Sequence, residues 1–554
     1  MKPVYSFDVF DTCLCRLCGE PRLLFDVLSL KVQQAADEHF SEHMRQLFVA
    51  TRATADGNSL TEIYKNVAEQ YPLPISVEKM VQLELDTERQ LLVPIQETIQ
   101  QVNRLREKGD ILFISDMYLP SDFIRGRLIE HGFFREGDRL YVSDELQAWK
   151  HNGTLYQLIH EKEGIPFRQW HHYGDNRKSD YSVPRRLGIH AHYLHYDYLP
   201  YEEQWRQKPV IQYQFPAILA GVARAVRLSS NAPDDQKSFV CNVTAPLMVS
   251  WVLQIMNDAQ LRGIRRLYFC ARDMHSHYHI ALSLRTFFPN LDIKYLFISG
   301  PALYNSPKCI DYLFQEGLCD NTPSAIVDSC SSGKTIREMN HILSSNGYRP
   351  ISGYFWAKMS IAEEPCADES FMLDSDYLTA MTKGKVKRLI GMRILYELLF
   401  SINFHSKTID YSETHNMIRP VFGKDTDDHF SFNNGKKPRE NKKNNDSLLL
   451  HFTNGILATG LHSFHHDILH HIIIPQLIEY ANYPNKKYLN YLHQFLWWDR
   501  PFVGALFGKK KGVWKRGNIF FCLPNFFATP LRSILSDDRK RRRINHILTW
   551  HIHN

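Results

Sequence analysis

Two aspartates near the start of the chain, Asp8 and Asp11 in DVFDT, close an apolar run that begins at Val4. In an α/β sheet, ligands bind outside the carboxyl ends of the strands. A pair of carboxylates at such an end can divide the labour of cleaving a phosphate ester. One attacks phosphorus and becomes an aspartyl phosphate; the other protonates the leaving oxygen and later activates water. Standing alone, DVFDT reads as a pair of turn or capping aspartates. Three later stretches change that reading. Ser115, in LFISDMY, ends a second apolar run, where its hydroxyl could hold a phosphoryl oxygen. Lys150, in AWKHNGTLY, could neutralise charge on that group, and Asp175 and Asp180, in YGDNRKSD, could bind a divalent cation together with Asp8. Each has a bland alternative (a serine turn, a surface lysine, a helix cap), but all four in this order are hard to produce by accident.

Such groups meet only if a sheet gathers them. Residues 1–12 read as one strand, and 20–108 look helical almost throughout, with apolar residues three and four apart in LLFDVLSLKVQQAADEHF and MVQLELDTERQLLVPIQETIQQVNRLREKG. Strand and helix then alternate: DILFISD, a helix over 123–131, RLYVS, a helix near 155–163, WHHYGD, a short helix near 181–187, and IHAHYL. This alternation predicts a parallel sheet covered by helices on both faces.

With these motifs in this order, residues 1 to about 195 resemble the haloacid dehalogenase (HAD) superfamily. The resemblance implies Asp8 as nucleophile and Asp11 as general acid and base. Ser115 and Lys150 would bind the phosphate, with Thr12 matching the family's threonine after the acid. Asp175 would ligate magnesium together with Asp8 and the backbone carbonyl of Asp11, and Asp180 would support it. An acid at position 11 separates phosphatases from dehalogenase members, which lack it, and from transport ATPases, which carry threonine there. The helical insert over 16–108 takes the place of a C1 cap, a lid that excludes water during chemistry. A closed lid leaves no path for a polypeptide. The expected substrate is therefore a small phosphorylated metabolite, a sugar or nucleotide phosphate, and the expected cofactor is Mg²⁺.

The expected fold class is α/β. A HAD-like Rossmannoid parallel sheet with a helical C1 cap covers 1–200, and a second α/β domain covers 201–405. A helical, basic, aromatic-rich region follows over 406–554, with a polar linker at 424–447. In the second domain, SAIVDSCSSGKTIREMNHIL reads as an apolar strand ending at Asp328, a Ser/Gly-rich loop over 329–335, and a helix. Amides and hydroxyls of such a loop can wrap a phosphate at a helix N-terminus. Its candidate phosphate contacts are Asp328, Ser331, Ser332, Gly333, Lys334 and Thr335. The spacing excludes a Walker A motif. The loop resembles the phosphoribosyl-pyrophosphate loop of type I phosphoribosyltransferases, with two departures: Ser329 replaces the family's second acid, and the loop is one residue shorter. The pairing of halves is also similar to predicted hydrolases that accompany bacterial surface-polysaccharide synthesis, in the DVFDT start and in the strand end YFCARD. Two rival readings stand beside the phosphatase. One is a phosphoribosyl- or glycosyl-type transferase centred on 260–360 with an accessory phosphatase domain; the other is a membrane-peripheral assembly factor.

A net charge of +6 over 554 residues does not by itself imply a nucleic-acid partner. No apolar run near the about 20 residues of a spanning helix is evident, and no secretory leader is expected. A cytoplasmic setting with reduced thiols is expected, with attachment to the inner membrane surface as the alternative. Cys13, Cys15 and Cys18 could begin a zinc site but lack an adjacent fourth ligand, so ordinary thiols are the expectation. His462, His466 and His470 have helical spacing, which suits a wet helix face or a metal pair. From Lys509 onward eleven Lys or Arg and two acids interleave with Trp514, Phe520, Phe521, Phe526 and Phe527. That pattern fits a solvated tail, an anionic membrane surface or, less well, nucleic acid.

Overall fold

The computed structural model describes residues 2–36, 40–57, 59–207, 215–271, 273–331, 334–358, 369–371, 407–423 and 436–464. The chain divides into two compact units, Met1–Asn231 with Asn454–Ser463, and Ala232–Thr453 with Phe464–Asn554.

In the first unit, strands β1 (Val4–Asp8), β4 (Asp110–Ser115), β5 (Arg139–Val142), β6 (Trp170–Gly174) and β7 (His190–Tyr193) form one sheet in the order β5-β4-β1-β6-β7. All its pairings are parallel. Helices on both faces explain why β1 reads as a continuous buried run rather than an alternating one. Leu112 and Ile114 pack with Trp170, Tyr156 and Leu155 on one side. On the other side Phe7 stacks on Tyr173 with ring centroids 4.9 Å apart. Between β1 and β4 the chain leaves the sheet through a short antiparallel pair, β2 (Leu14–Arg16) with β3 (Leu92–Pro94). Beyond that pair lie the helices Leu23–Ala35, Glu42–Thr54, Leu60–Gln70 and Val77–Leu91. This unit has the fold that the HAD resemblance implied, a parallel sheet with a helical cap inserted after its first strand.

Two expected boundaries move. The cap ends at Leu91, not at 108: the helix Gln96–Arg106 follows β3 and packs on β4 as the crossover of the sheet itself. The unit also runs past residue 200, because the helices Pro200–Gln207 and Phe215–Leu228 belong to it.

The second unit holds strands β8 (Arg266–Cys270), β9 (Asp292–Leu296), β10 (Ser324–Ser331), β11 (Ser352–Lys358) and β12 (Glu369–Phe371), ordered β12-β11-β10-β8-β9 and all parallel. Leu296, Tyr312, Leu313, Ile326 and Met339 form part of its core. A hairpin of β13 (Thr408–Thr414) and β14 (Met417–Phe422) turns at His415 and Asn416, both at positive φ, as a two-residue turn requires. One helix among the described residues, Asp234–Leu261, is long and apolar enough to cross a membrane, and 94% of its apolar window is buried inside the protein.

The polar stretch 424–447 is not a linker throughout. From Lys436 it is the first half of a helix, Lys436–Ala458, in which Lys442 and Asn445 are buried. Leu448, Leu449, Phe452 and Ile456 downstream give that helix its apolar face, and Gln236 Nε2 donates to Asn445 Oδ1 at 2.7 Å. The tail from Lys509, together with His466 and His470, lies outside the described residues.

Candidate active site

Side chains alternate along a strand, so Val4, Ser6 and Asp8 share one face of β1, and Trp170, His172 and Gly174 share one face of β6. Ser6 pairs with His172 in register. One step further toward the carboxyl ends, Asp8 therefore stands beside Gly174. A methyl group at Gly174 would lie 2.5 Å from Asp180 Cβ and 2.7 Å from its Oδ2, so the missing side chain is what admits Asp180. Asp180 sits in a one-turn π-helix, Arg177–Ser182, and its Oδ2 accepts from Asn176 N at 3.0 Å.

Lys150 is buried with Asp8 and Asp180. Its ammonium donates to Asp8 Oδ1 and, at 2.7 Å, to Asp180 Oδ1. Its backbone N–H is held by both oxygens of Asp116, at 3.0 and 3.1 Å. Behind Asp180 runs a polar chain: His172 Nε2 to Asp180 Oδ1 at 3.3 Å, His172 Nδ1 to Ser6 Oγ at 2.7 Å, and Trp170 Nε1 to Ser6 Oγ at 2.7 Å. Because the ring must donate to the carboxylate, Nδ1 is left to accept from the serine. Burial holds His172 below its usual range, which favours this neutral form.

The carboxylates are poised against one another. Burial pushes the Asp8 carboxyl well above its ordinary range; Lys150 pulls it back, while Asp180 and Asp175 push it further up. Asp175 is raised to about 6 by burial, with Asp11 and Asp180 adding to the effect. For Asp180, burial is outweighed by Lys150 and His172, and its pKa falls below the usual carboxylate range. Asp8, Asp175 and Asp180 each offer an oxygen within 4.8 Å of the others, a group that could hold a metal ion. Three acids against one lysine leave negative charge that a hard cation would offset, and an all-oxygen donor set suits magnesium better than a soft metal.

Four stretches thus meet at the carboxyl edge of one sheet. Thr12 donates its hydroxyl to Asp175 Oδ1 at 3.0 Å. Ser115 lies one residue past Ile114, the register partner of Asp8. Its Oγ is buried and has no hydrogen-bond partner among the described residues, so it is open to a phosphoryl oxygen. Asp11 adopts a left-handed backbone, φ 60°, in the tight turn after β1. Its carboxylate turns to Arg224, whose Nη1 donates to Oδ1 at 2.8 Å.

No family model matches the chain, and no curated protein matches it. Solved structures that align with part of the chain include the putative HAD-hydrolase YfnB from Bacillus subtilis bound to magnesium (15% identity, 34% of this chain, 86% of that chain, TM-score 0.26). A HAD phosphatase from Thermococcus onnurineus aligns at 19% identity over 36% of this chain and 87% of its own, with a TM-score of 0.27. A defluorinating L-2-haloacid dehalogenase aligns at 12% identity over 34% and 79%, with a TM-score of 0.26.

Sequence reasoning missed Asp116, His172, Ser6 and Arg224. Asp116 was legible as the acid next to Ser115. His172 and Ser6 carried a weaker signal, polar residues inside apolar strands. Arg224 gave none, being one of two arginines in the apolar helix Phe215–Leu228. The second candidate loop is placed differently from expectation. β10 continues past Asp328, with Cys330 and Ser331 paired to Ala357 and Lys358, so Asp328 lies within the strand. Ser332 and Gly333, and the side chains of Ser331 and Lys334, lie outside the described residues; the helix resumes at Lys334 and carries Thr335. The three cysteines of the first motif are separate buried thiols, and Cys13 Sγ donates to Asp8 O at 3.1 Å.

Proposed function

We propose that the first unit is a magnesium-dependent phosphomonoesterase of the HAD type acting on a small phosphorylated metabolite. One observation carries this reading: a buried lysine bridges Asp8 and Asp180 while Asp175 completes a three-carboxylate group and the neighbouring strand end presents the unpartnered Ser115 hydroxyl. Lys150 occupies Asp8 Oδ1, and Asp8 Oδ2 has no hydrogen-bond partner among the described residues; that oxygen is the one to attack phosphorus. The P–O bond to the leaving group breaks as the new P–O bond to Asp8 forms, and Asp11 gives the leaving oxygen its proton. Asp11 then takes a proton from water, which attacks the aspartyl phosphate and frees inorganic phosphate. Lys150 and Ser115 hold the equatorial oxygens, whose spread charge is what such a site must stabilise. Asp8, Asp175 and Asp180 would hold Mg²⁺, which supplies further neutralisation of that charge when bound. The surface-polysaccharide setting belongs to this reading only as the context that the sequence resemblance suggests.

The test is phosphate release from a panel of metabolite phosphates with magnesium and with a chelator. Asp8→Asn is expected to lower turnover by about 10³-fold or more, as loss of a nucleophile does. Asp175→Asn is expected to raise the magnesium concentration needed for half-maximal rate. Undiminished turnover in Asp8→Asn defeats the assignment.

A further inference from the structure

A cavity of about 180 Å³ opens beside the carboxylates, lined among others by Asp11, Asp175, Gly19, Glu20, Tyr198 and Arg224. Arg224 is the only cationic side chain in that lining, and it comes from the helix Phe215–Leu228, outside the sheet and the cap. Its placement is rigid. Nε donates to Tyr196 O at 2.7 Å, and the guanidinium lies over the Tyr198 ring, 5.2 Å from its centroid. One turn earlier in the helix, Gly221 lets the backbone approach so closely that a methyl there would meet Cys18 C and Gly19 N at 2.4 Å. Gly221 and Arg224 are three residues apart and share a helix face. The contact that docks the helix on the loop after β2 therefore also aims the guanidinium.

Its partner creates a problem of charge. Asp11 is the group that must hand a proton to the leaving oxygen, so it cannot remain the fixed counter-ion of a buried guanidinium through the reaction. Of the other acids in the lining, Asp175 accepts from Thr12 and belongs to the three-carboxylate group, and the remaining two do not compete. Glu20 is paired with Arg206, and the Asp197 side chain is 79% exposed to solvent. Arg224 Nη2 has no hydrogen-bond partner among the described residues, which leaves half of the planar fork free for an incoming anion.

We infer that Arg224 is a specificity-determining residue that binds a second anionic group, a carboxylate or a second phosphate, on the phosphomonoester, and so frees Asp11. This rests on the phosphatase reading and names its substrate class. The substrate brings the counter-ion that the guanidinium needs; a neutral sugar or alcohol phosphate brings none.

The experiment compares matched esters that differ chiefly in the second anion: 3-phosphoglycerate against glycerol 3-phosphate, 6-phosphogluconate against sorbitol 6-phosphate, and ribose 1,5-bisphosphate against ribose 5-phosphate. Full-length protein with magnesium is expected to favour the acidic member of at least one pair by about tenfold or more in kcat/KM, chiefly through KM. Arg224→Gln is expected to bring that ratio close to one, and Arg224→Lys to keep part of it. A ratio compares two substrates of one variant, so a general loss of folding does not mimic the result. Equal kcat/KM within every pair, or a preference that survives Arg224→Gln, overturns the proposal. If no ester is hydrolysed the phosphatase reading fails, and calorimetric binding of the same pairs to wild type and Arg224→Gln still decides this one. An acidic preference lost in the variant supports Arg224 as an anion subsite, and its absence overturns it.

Discussion

Lys150 sits between two carboxylates whose positions depend on different things. Asp8 is fixed by the end of β1, whereas Asp180 reaches Lys150 from a one-turn π-helix that fits only because Gly174 has no side chain. Gly174→Ala places a methyl inside contact distance of three atoms of Asp180. The carboxylate must move, and the move breaks its bonds to Lys150 and His172 together. We expect this one added carbon to cost about 1–3 kcal/mol in stability and about 10–100-fold in phosphate release, since a loosened Lys150 no longer stands at the transferring group. Thermal unfolding and initial rates measure the two; a variant with wild-type rates would show that Asp180 does not position Lys150. The same site shows what a sequence can disclose. Asp8, Ser115, Lys150 and Asp175 follow apolar runs or precede a helix within short recognisable strings. Arg224 acts through a contact between helix and loop, a relation that no local string encodes.

At the level of elements, the cap is joined to the sheet by buried charge. Glu84, on the cap helix Val77–Leu91, accepts from Arg52 Nε and Nη2 at 2.9 and 2.7 Å, from Tyr64 Oη at 2.5 Å and from Tyr118 Oη at 3.0 Å. Tyr118 belongs to the loop after β4, so this carboxylate ties the cap to the strand end that carries Ser115. One turn along, Glu88 holds Arg16 of β2 in a second buried pair at 2.6 Å. Removing one member of such a pair strands a charge away from water. Glu84→Gln is expected to cost about 3–5 kcal/mol, read by denaturant unfolding. The double variant Arg52→Met with Glu84→Leu is expected to lose less than Glu84→Gln alone. If the double variant were the less stable of the two, the pair would be net stabilising, and the account of the Glu84→Gln loss as a stranded Arg52 charge would fall. The helical period made the cap visible in the sequence, but not its end. Periodicity continues from Val77–Leu91 into Gln96–Arg106, and the short strand Leu92–Pro94 that separates cap from crossover helix has no periodic signature at three residues.

Across the whole molecule, the second unit carries a titratable group of its own that the first unit's chemistry does not use. Asp446 lies on the helix Lys436–Ala458, in a stretch whose polar composition reads as solvated chain and gives no hint of enclosure. Ser276 Oγ donates to its Oδ1 at 2.9 Å. Burial raises its carboxyl pKa to about 7, against the lowering effects of Ser276 and Lys442. A carboxyl raised in the folded state keeps its proton where the unfolded chain has already released it. Between the ordinary value of 3.8 and about 7 the folded state therefore binds more protons, and stability falls as pH rises through that window. The contribution is complete below pH 4 and lost above pH 7. Asp446→Asn keeps an oxygen to accept from Ser276 but has no charge to bury. It is expected to raise the unfolding free energy of the second unit at pH 8 by about 2 kcal/mol, once the solvent-facing part of the side chain is allowed for, and to change it little at pH 4. Denaturant titrations at the two pH values, followed through Trp251 fluorescence, measure the difference. An equal effect at both pH values would mean that the substitution acts through packing and not through the proton.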